Sequence, residues 1–485
     1  MTEKPVKMDT LKPDSSGKPI ESVNSTNKTQ SDFSDTSSMS ESRHLFEDDT
    51  ANKIQSSVPM TSFNFINSII GSGIIGIPFA MKQAGFGLGL VLLIVVACVT
   101  DYSIILLIEA GKLSNTNSYQ DVMLVACGRP GFYLLTFLQF AYPFIAMVSY
   151  NVIIGDTVTK IIVRLGGEHI ANTVLGSRQF IIFLMTLLFT LPLSLYRDIA
   201  KLSKWAFLSL VMVAVILVFM CIRLATITHN IPQSDNSWIF ANINITQAIG
   251  IMAFAYMCHH NTFLIHASLE NPTKERWSFV THVSVVFCMG FMMAFGLVGY
   301  ASFTGNTQGD LLENYCQTDD LMNAGRFMFA FTIMLTYPIE CFVTREVVEN
   351  AFFPNSDQPP MWRHVVITVT IAIVVCAFSM STDCLGIVLE LNGVMAAAPL
   401  AFIIPPLCVM KLRQEPVLSR NNVIPIAIAT FGTLVAVVGF IMAVVNFSTG
   451  NTCSHGKEPD YCLELDKGVL NLTQAELVTT TLPEL

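Results

Sequence analysis

Charge is scarce in this chain. Asp, Glu, Lys and Arg make up 13% of its 485 residues, against about 25% in an average soluble domain. Hydrophobic residues make up 52%, and the mean hydropathy is +0.55. So little charge cannot cover the water-facing surface of a chain this long, and the composition points to a polytopic membrane protein. No basic run offers a footprint for phosphates, which argues against a nucleic-acid partner. The net charge of −9 says little, because orientation follows where Lys and Arg stand rather than their sum. Patterns for chemistry are missing as well: there is no Ser/His/Asp ordering, no phosphate-binding glycine loop and no zinc-type cysteine spacing. A membrane transferase could use His259, His260 and Glu390, but the loops are too short to build a substrate platform. The expectation is a protein that is not an enzyme and has no organic cofactor.

What is present is organised around Ser62–Ala80, an apolar span interrupted at Gly71-Ser72-Gly73. A membrane helix needs roughly 20 apolar residues, and a glycine-serine break at its centre frees backbone groups that lipid cannot satisfy. Such a break belongs where protein or water faces it. The half-helix before it aims carbonyls and a negative dipole end at the gap, and the half after it aims N–H groups and a positive end. That pairing suits a cation on one side and a carboxylate on the other, as in broken-helix transporters. Close packing of a neighbouring helix on the glycines is the simpler alternative, yet it does not require Asn64 and Asn67, which stand about one turn earlier.

Further apolar segments recur at 88–109, 132–163, 179–195, 205–227, 245–266, 278–303, 323–343, 364–382, 385–410 and 422–446. With the broken first span they make eleven. Residues 1–57 are rich in Ser, Thr, Asp, Asn and Lys and have no apolar run. They read as a disordered cytosolic tail without a secretory signal, a plain solvated arm or one that binds a cytosolic partner. Lys112, Arg129, Arg197, Lys201, Lys204, Lys274, Arg276, Arg345, Arg363, Lys411, Arg413 and Arg420 fall on the N-terminal side of the bilayer, and only half as many basic residues fall opposite. That asymmetry places the N-terminus in the cytosol. An odd number of spans then leaves residues 447–485 as an extracellular tail, with 58–446 as the transmembrane domain.

The outer face should carry secretory-pathway chemistry. Cys453 and Cys462 close a short loop there and are expected to pair, with Cys316 and Cys384 as a second pair near outer helix ends. Asn244, Asn446 and Asn471 begin outer glycosylation sequons, while those at Asn24 and Asn27 should stay bare.

If spans one to five and six to ten are inverted repeats, the sixth should be broken like the first. It carries His259, His260, Asn261 and Thr262 in the middle of an apolar run, where polar side chains mark pathways unless interhelical hydrogen bonds absorb them. Tyr142-Pro143 and Tyr337-Pro338 give a weaker echo in spans three and eight. Backbone and side-chain groups of Ser68, Ile69, Ile70, Gly71, Ser72, Gly73, Phe254, Tyr256, His259 and Asn261 are therefore the candidate clasp for a small substrate. Thr332 and Thr336 lie one turn apart on one face of span eight and offer hydroxyl oxygens to a hard cation, or bond back to their own helix. Asp156 and Lys160, four residues apart, should form an ion pair, whereas Asp101, Glu109 and Glu340 have no evident partner. Glu390 reads equally as an outer gate, a proton site or a helix-end carboxylate reaching water, and His260 joins it as a coupling candidate.

On Asn67-Ser-Ile-Ile-Gly-Ser-Gly-Ile-Ile-Gly-Ile-Pro78 the chain resembles the sodium-coupled neutral amino acid transporters of the amino acid/auxin permease superfamily. The resemblance covers nearly everything after about residue 58. It implies an all-α fold of eleven transmembrane helices, a 5+5 inverted-repeat broken-helix transporter plus one extra helix. It also implies symport of a small neutral amino acid with sodium across the plasma membrane, with Asn67 as a sodium ligand and Thr332 and Thr336 in the region of the second ligand element. Proton coupling, or a sensor signalling through the N-terminal tail, are the alternatives. No ATP site is required: one sodium ion entering through 100 mV gains ~2.3 kcal/mol, which supports about a 50-fold gradient.

Overall fold

The computed structural model describes residues 56–197, 206–226, 228, 231–232, 237–353, 360–449 and 458–463. Residues 1–55 of the expected tail at 1–57, Cys453 and the sequons at Asn24, Asn27 and Asn471 lie outside these. Among the described residues the architecture is helical, and the one β-type contact is an isolated bridge between Ser56 and Leu269.

Leaving short turns aside, the helices are α1 (Val58–Ile69), α2 (Ile77–Ala84), α3 (Phe86–Ser114), α4 (Tyr119–Gly166), α5 (Arg178–Ser194), α6 (Ala206–Thr226), α7 (Ile245–Ala255), α8 (His259–Ser268), α9 (Lys274–Phe303), α10 (Asp320–Phe352), α11 (Met361–Ser381), α12 (Leu385–Leu412) and α13 (Val423–Thr449). Nine helical spans among the described residues are long and apolar enough to cross a membrane, and α1 with Ser72–Ala84 makes a tenth if the bent pair is one span. α5 is apolar but shorter.

Local chemistry sets the ends. α9 starts at Thr273, whose hydroxyl accepts from Arg276 N at 3.3 Å. α10 starts at Asp319, which accepts from Met322 N at 3.1 Å and pairs with Arg223 at 2.6 Å, so one carboxylate caps a helix and neutralises a cation. α3 stops at Asn115, in the left-handed region at φ 52°, with its N–H on the Gly111 and Lys112 carbonyls. α4 is bent at Gly128 (φ 69°) and contains Pro130 and Pro143.

α7 runs through the centre, packed against α2, α12 and α13. In lipid such contacts depend on small residues that let backbones approach. A Cβ on Gly393 of α12 would sit 1.8 Å from the Gly250 carbonyl oxygen of α7, so that crossing admits glycine only.

α9 has 30 residues and is about 45 Å long. The end it starts from is the one that Ser56 touches, through Ser56 N to Ser268 O at 2.8 Å. It leads to the loop 304–319, where Tyr461 donates to the Asn314 carbonyl at 2.5 Å. The two ends of the described chain therefore lie at opposite ends of the bundle.

The disulfide expectation is corrected here. Cys462 is bonded to Cys316, not to Cys453, and Cys384 belongs to a disulfide of its own, so the Cys316–Cys384 pair does not exist either. Nearness in sequence misled: residues 458–462 lie on the loop 304–319, with Glu458 accepting from Gln317 N at 2.9 Å.

Candidate functional site

The two interrupted spans meet at their breaks. α1 ends at Ile69, and Ile70 (ψ 92°) and Gly71 (φ −123°, ψ −152°) are extended. Helix resumes at Ser72 after a 51° bend. In the other span α7 stops at Ala255 and α8 begins at His259, with Tyr256, Met257 and Cys258 between them. α7 lies along α2 and α8 along α1, so the broken spans run antiparallel with their gaps side by side. Each gap receives the carbonyl end of one half-helix and the N–H end of the next.

Gly73 is where they touch. A Cβ there would lie 2.6 Å from Ala255 Cα and 3.1 Å from Phe254 Cδ1. At Gly71 a Cβ would meet nothing within 4 Å, because this residue borders a cavity of about 30 Å³. The cavity is lined by Asn67, Ile70 and Ser72, by Thr332 and Thr336 of α10, and by Ser209 of α6. Its size suits one water or one bare ion. Thr336 donates to the Thr332 carbonyl at 2.6 Å, and the Thr332 hydroxyl stands 3.6 Å from Met212 Sδ. The back-bonded reading thus holds for Thr336, yet a hydroxyl that donates keeps lone pairs for a cation.

The candidate clasp residues divide into two groups. Asn261 donates to Ser68 Oγ at 3.0 Å, tying α8 to α1. The His260 ring is 5.2 Å and the Phe254 ring 5.7 Å from Tyr142. Among the described residues, His260 Nδ1 and the Tyr256 hydroxyl have no hydrogen-bond partner. His259 instead faces α3, with Nε2 3.3 Å from Ser103 Oγ, so it serves the interhelical role. Glu390 is fully buried where α7, α12 and α13 meet, and the Asn446 amide donates to it at 3.5 Å. That burial removes the reading of Glu390 as a helix-end carboxylate reaching water. The Asn244 amide likewise donates to Gln83 Oε1 at 2.9 Å.

Sequence reasoning missed Ser209 and the surroundings of Glu340. Glu340 lies one turn past Thr336, has a buried oxygen without a partner among the described residues, and stands within electrostatic reach of Tyr142 and Tyr150. The Tyr150 hydroxyl is beside Ser72. A polar seam therefore runs from the break in span one to span eight. Its signal was a carboxylate two residues after Pro338 in an apolar run.

The acids near the helix ends chose distant partners. Asp156 pairs with Arg178 rather than Lys160, and Lys160 pairs with Glu313 at 3.0 Å. Asp101 meets His282 at 2.7 Å, and Glu109 meets Arg413 at 2.6 Å. In the loop 304–319, burial first and then the neighbouring Glu313 push Asp310 up to about 7. Cys316, Cys462 and Glu458 come together there, but the two sulfurs are bonded to each other and offer no thiolate to a metal.

A family model described as "Transmembrane amino acid transporter protein" matches residues 54–446. The chain is 50% identical over 407 residues to "Putative sodium-coupled neutral amino acid transporter 11" of Danio rerio, covering 84% of this chain and 90% of that one. It is 48% identical over 427 residues to the Mus musculus protein of that name, covering 88% and 93%. "Vacuolar amino acid transporter 2" of Saccharomyces cerevisiae is 28% identical over 418 residues, covering 83% and 86%. Among solved structures, MhsT in complex with L-phenylalanine matches with a TM-score of 0.50 at 11% identity, covering 80% of this chain and 97% of that one. This last likeness concerns the fold alone.

Proposed function

The chain belongs to the transmembrane amino acid transporter family, and from that premise we propose that it carries a small neutral amino acid together with sodium by alternating access. The observation that carries the sodium reading is the small cavity where Asn67, Thr332 and Thr336 converge on the extended residues Ile70 and Gly71. A hard cation takes several oxygens at once, and this cavity gathers an amide, two hydroxyls and the carbonyl end of α1. Backbone N–H groups at Ser72–Gly73 and at the start of α8 would receive the substrate carboxylate, with Ser68, Phe254, Tyr256 and Asn261 around it.

In this reading α5 counts as a crossing, giving eleven, and the antiparallel pairing of the two broken spans supports the 5+5 inverted repeat. The N-terminus is cytosolic and the C-terminus outside, at the plasma membrane, which the Cys316–Cys462 disulfide supports because such bonds persist in oxidising compartments. Asn244, Asn446 and Asn471 are the outer sequons open to glycosylation in this reading.

Proton coupling is the second reading, and Glu340, with one buried carboxylate oxygen in the seam beside two tyrosines, favours it. Labelled uptake into proteoliposomes decides between them. The sodium reading expects accumulation driven by an inward sodium gradient; uptake that ignores sodium and follows an imposed pH gradient refutes it and makes Glu340, Glu390, His259 and His260 the residues to test. Substrate-dependent capture of an N-terminal-tail partner without uptake would identify a sensor.

A further inference from the structure

α12 carries a joint that its own sequence makes. Residues 399–403 form a wide π-type turn, from whose end the Ile404 N–H reaches back to the Pro399 carbonyl, and the next two residues are Pro405 and Pro406. Proline has no N–H, so the carbonyls of Leu400 and Ala401 find no donor within their own helix. Both residues are buried, where an unpaired carbonyl is costly, and two neighbouring helices complete them. The Tyr119 hydroxyl of α4 donates to the Leu400 carbonyl at 2.6 Å, and the Ser103 hydroxyl of α3 donates to the Ala401 carbonyl. Helices bend at prolines and π turns, so these two hydroxyls hold the point at which α12 can flex.

Ser103 has a second bond. His259, the first residue of α8, places Nε2 3.3 Å from the Ser103 oxygen, and both residues are fully buried. A hydroxyl has one proton to give. The Ala401 carbonyl can only accept, so it takes that proton, and His259 must be the donor to Ser103. One directed chain therefore runs from His259 at the start of α8, through Ser103 of α3, to the joint in α12. We propose that Ser103 is a positioning residue, which acts through His259 to fix the first turn of α8, where the substrate carboxylate is received, against the joint in α12. Amino acid binding at the break and flexing of α12 are then coupled. The assignment rests on the reading of the chain as an amino acid carrier whose carboxylate site includes the start of α8.

In the full-length protein, Ser103→Ala should raise the half-saturating concentration of L-alanine in proteoliposome uptake at least fivefold. The half-saturating sodium concentration at saturating L-alanine should stay within twofold. An unchanged half-saturating L-alanine concentration overturns the proposal. Pro405→Ala gives the Ala401 carbonyl an N–H of its own helix, so Ser103→Ala/Pro405→Ala separates the two bonds of Ser103. Its melting temperature should return toward the wild-type value, while the half-saturating L-alanine concentration stays at least fivefold raised because the link to His259 is still absent. Recovery of both in the double variant overturns the proposal, since Ser103 then does no more than pair a carbonyl. Hydrogen exchange reads the same link without uptake. Backbone amides of residues 263–266, whose bonds close the first turns of α8, should exchange at least fivefold faster in the double variant than in the wild type, and equal exchange overturns the proposal. Should the wild type take up no neutral amino acid, the carrier reading fails, whereas the exchange comparison still decides whether Ser103 positions α8.

Discussion

Replacing Gly73 by alanine adds one carbon at the place where the two broken spans touch. Its Cβ would lie 2.6 Å from Ala255 Cα, 2.9 Å from Ala255 Cβ and 3.1 Å from Phe254 Cδ1, where carbon atoms prefer about 3.5–4.0 Å. The nearest of these atoms is backbone, so no side-chain rotation relieves the overlap, and the turn Ser72–Gly76 and α7 must separate by most of an ångström. Overpacking of this size costs about 1–3 kcal/mol, which lowers the population of the arrangement in which the two breaks touch by roughly 5- to 150-fold. Uptake into proteoliposomes at subsaturating amino acid should fall within that range, with surface delivery in cells unchanged. Gly71→Ala is the control, because its φ of −123° is ordinary and its Cβ meets nothing within 4 Å. It should retain the packing, and any loss should appear in cation dependence. Wild-type uptake by Gly73→Ala would show that the contact is not kept during transport and would refute the reasoning.

Asn67→Ala removes one amide oxygen from the small cavity and should raise the half-saturating sodium concentration by roughly 10- to 100-fold, the range for losing a polar contact to a charge. The amino acid's apparent affinity at saturating sodium should change less, and equal shifts in both would sink the separation of the two sites. Asp310 binds its proton more tightly folded, at about 7, than unfolded, near 4, so its protonated form supplies stability that is fully present below the unfolded value and is lost as pH rises toward 7. The melting temperature of the purified protein should therefore fall between pH 5 and pH 8, with a smaller fall in Asp310→Asn; an unchanged fall in that variant rejects the assignment. Non-reducing peptide mapping should recover a Cys316–Cys462 linkage, and a C-terminal tag should stain intact cells while an N-terminal tag stains only after permeabilisation. Staining of both tags on intact cells contradicts the proposed orientation.

The broken spans were legible because each departs from its own surroundings: Gly71-Ser72-Gly73 and His259–Asn261 stand out in apolar runs whose cost of interruption is high. The cavity residues Asn67, Thr332 and Thr336 were singled out by the family resemblance together with their oxygen-bearing side chains. Partner choice was not. Asp156 has a lysine one turn away yet binds Arg178 on another helix, and Cys462 passes over a neighbour nine positions back for a loop residue before α10. A polar side chain announces that it needs a partner, but the partner is decided by three-dimensional packing that periodicity does not encode. Glu340 belongs to this second class: its place in the span was readable, while Tyr142 and Tyr150 beside it come from a helix nearly two hundred positions earlier.

The link between Cys316 and Cys462 also sets a clock on biosynthesis. Its ends are 146 residues apart, and at about 5–20 residues per second Cys316 waits roughly 7–30 s after its own synthesis before its partner exists. Cys384, itself destined for another disulfide, is made during that interval and on the proposed orientation reaches the same oxidising compartment first. The early product open to the chain is therefore a Cys316–Cys384 mispair, which must be reshuffled once residues 458–462 arrive and Tyr461 reaches Asn314. Maturation of this carrier should then depend on thiol–disulfide isomerisation as its last step, and ribosome-bound chains truncated before Cys462 should accumulate the wrong bond.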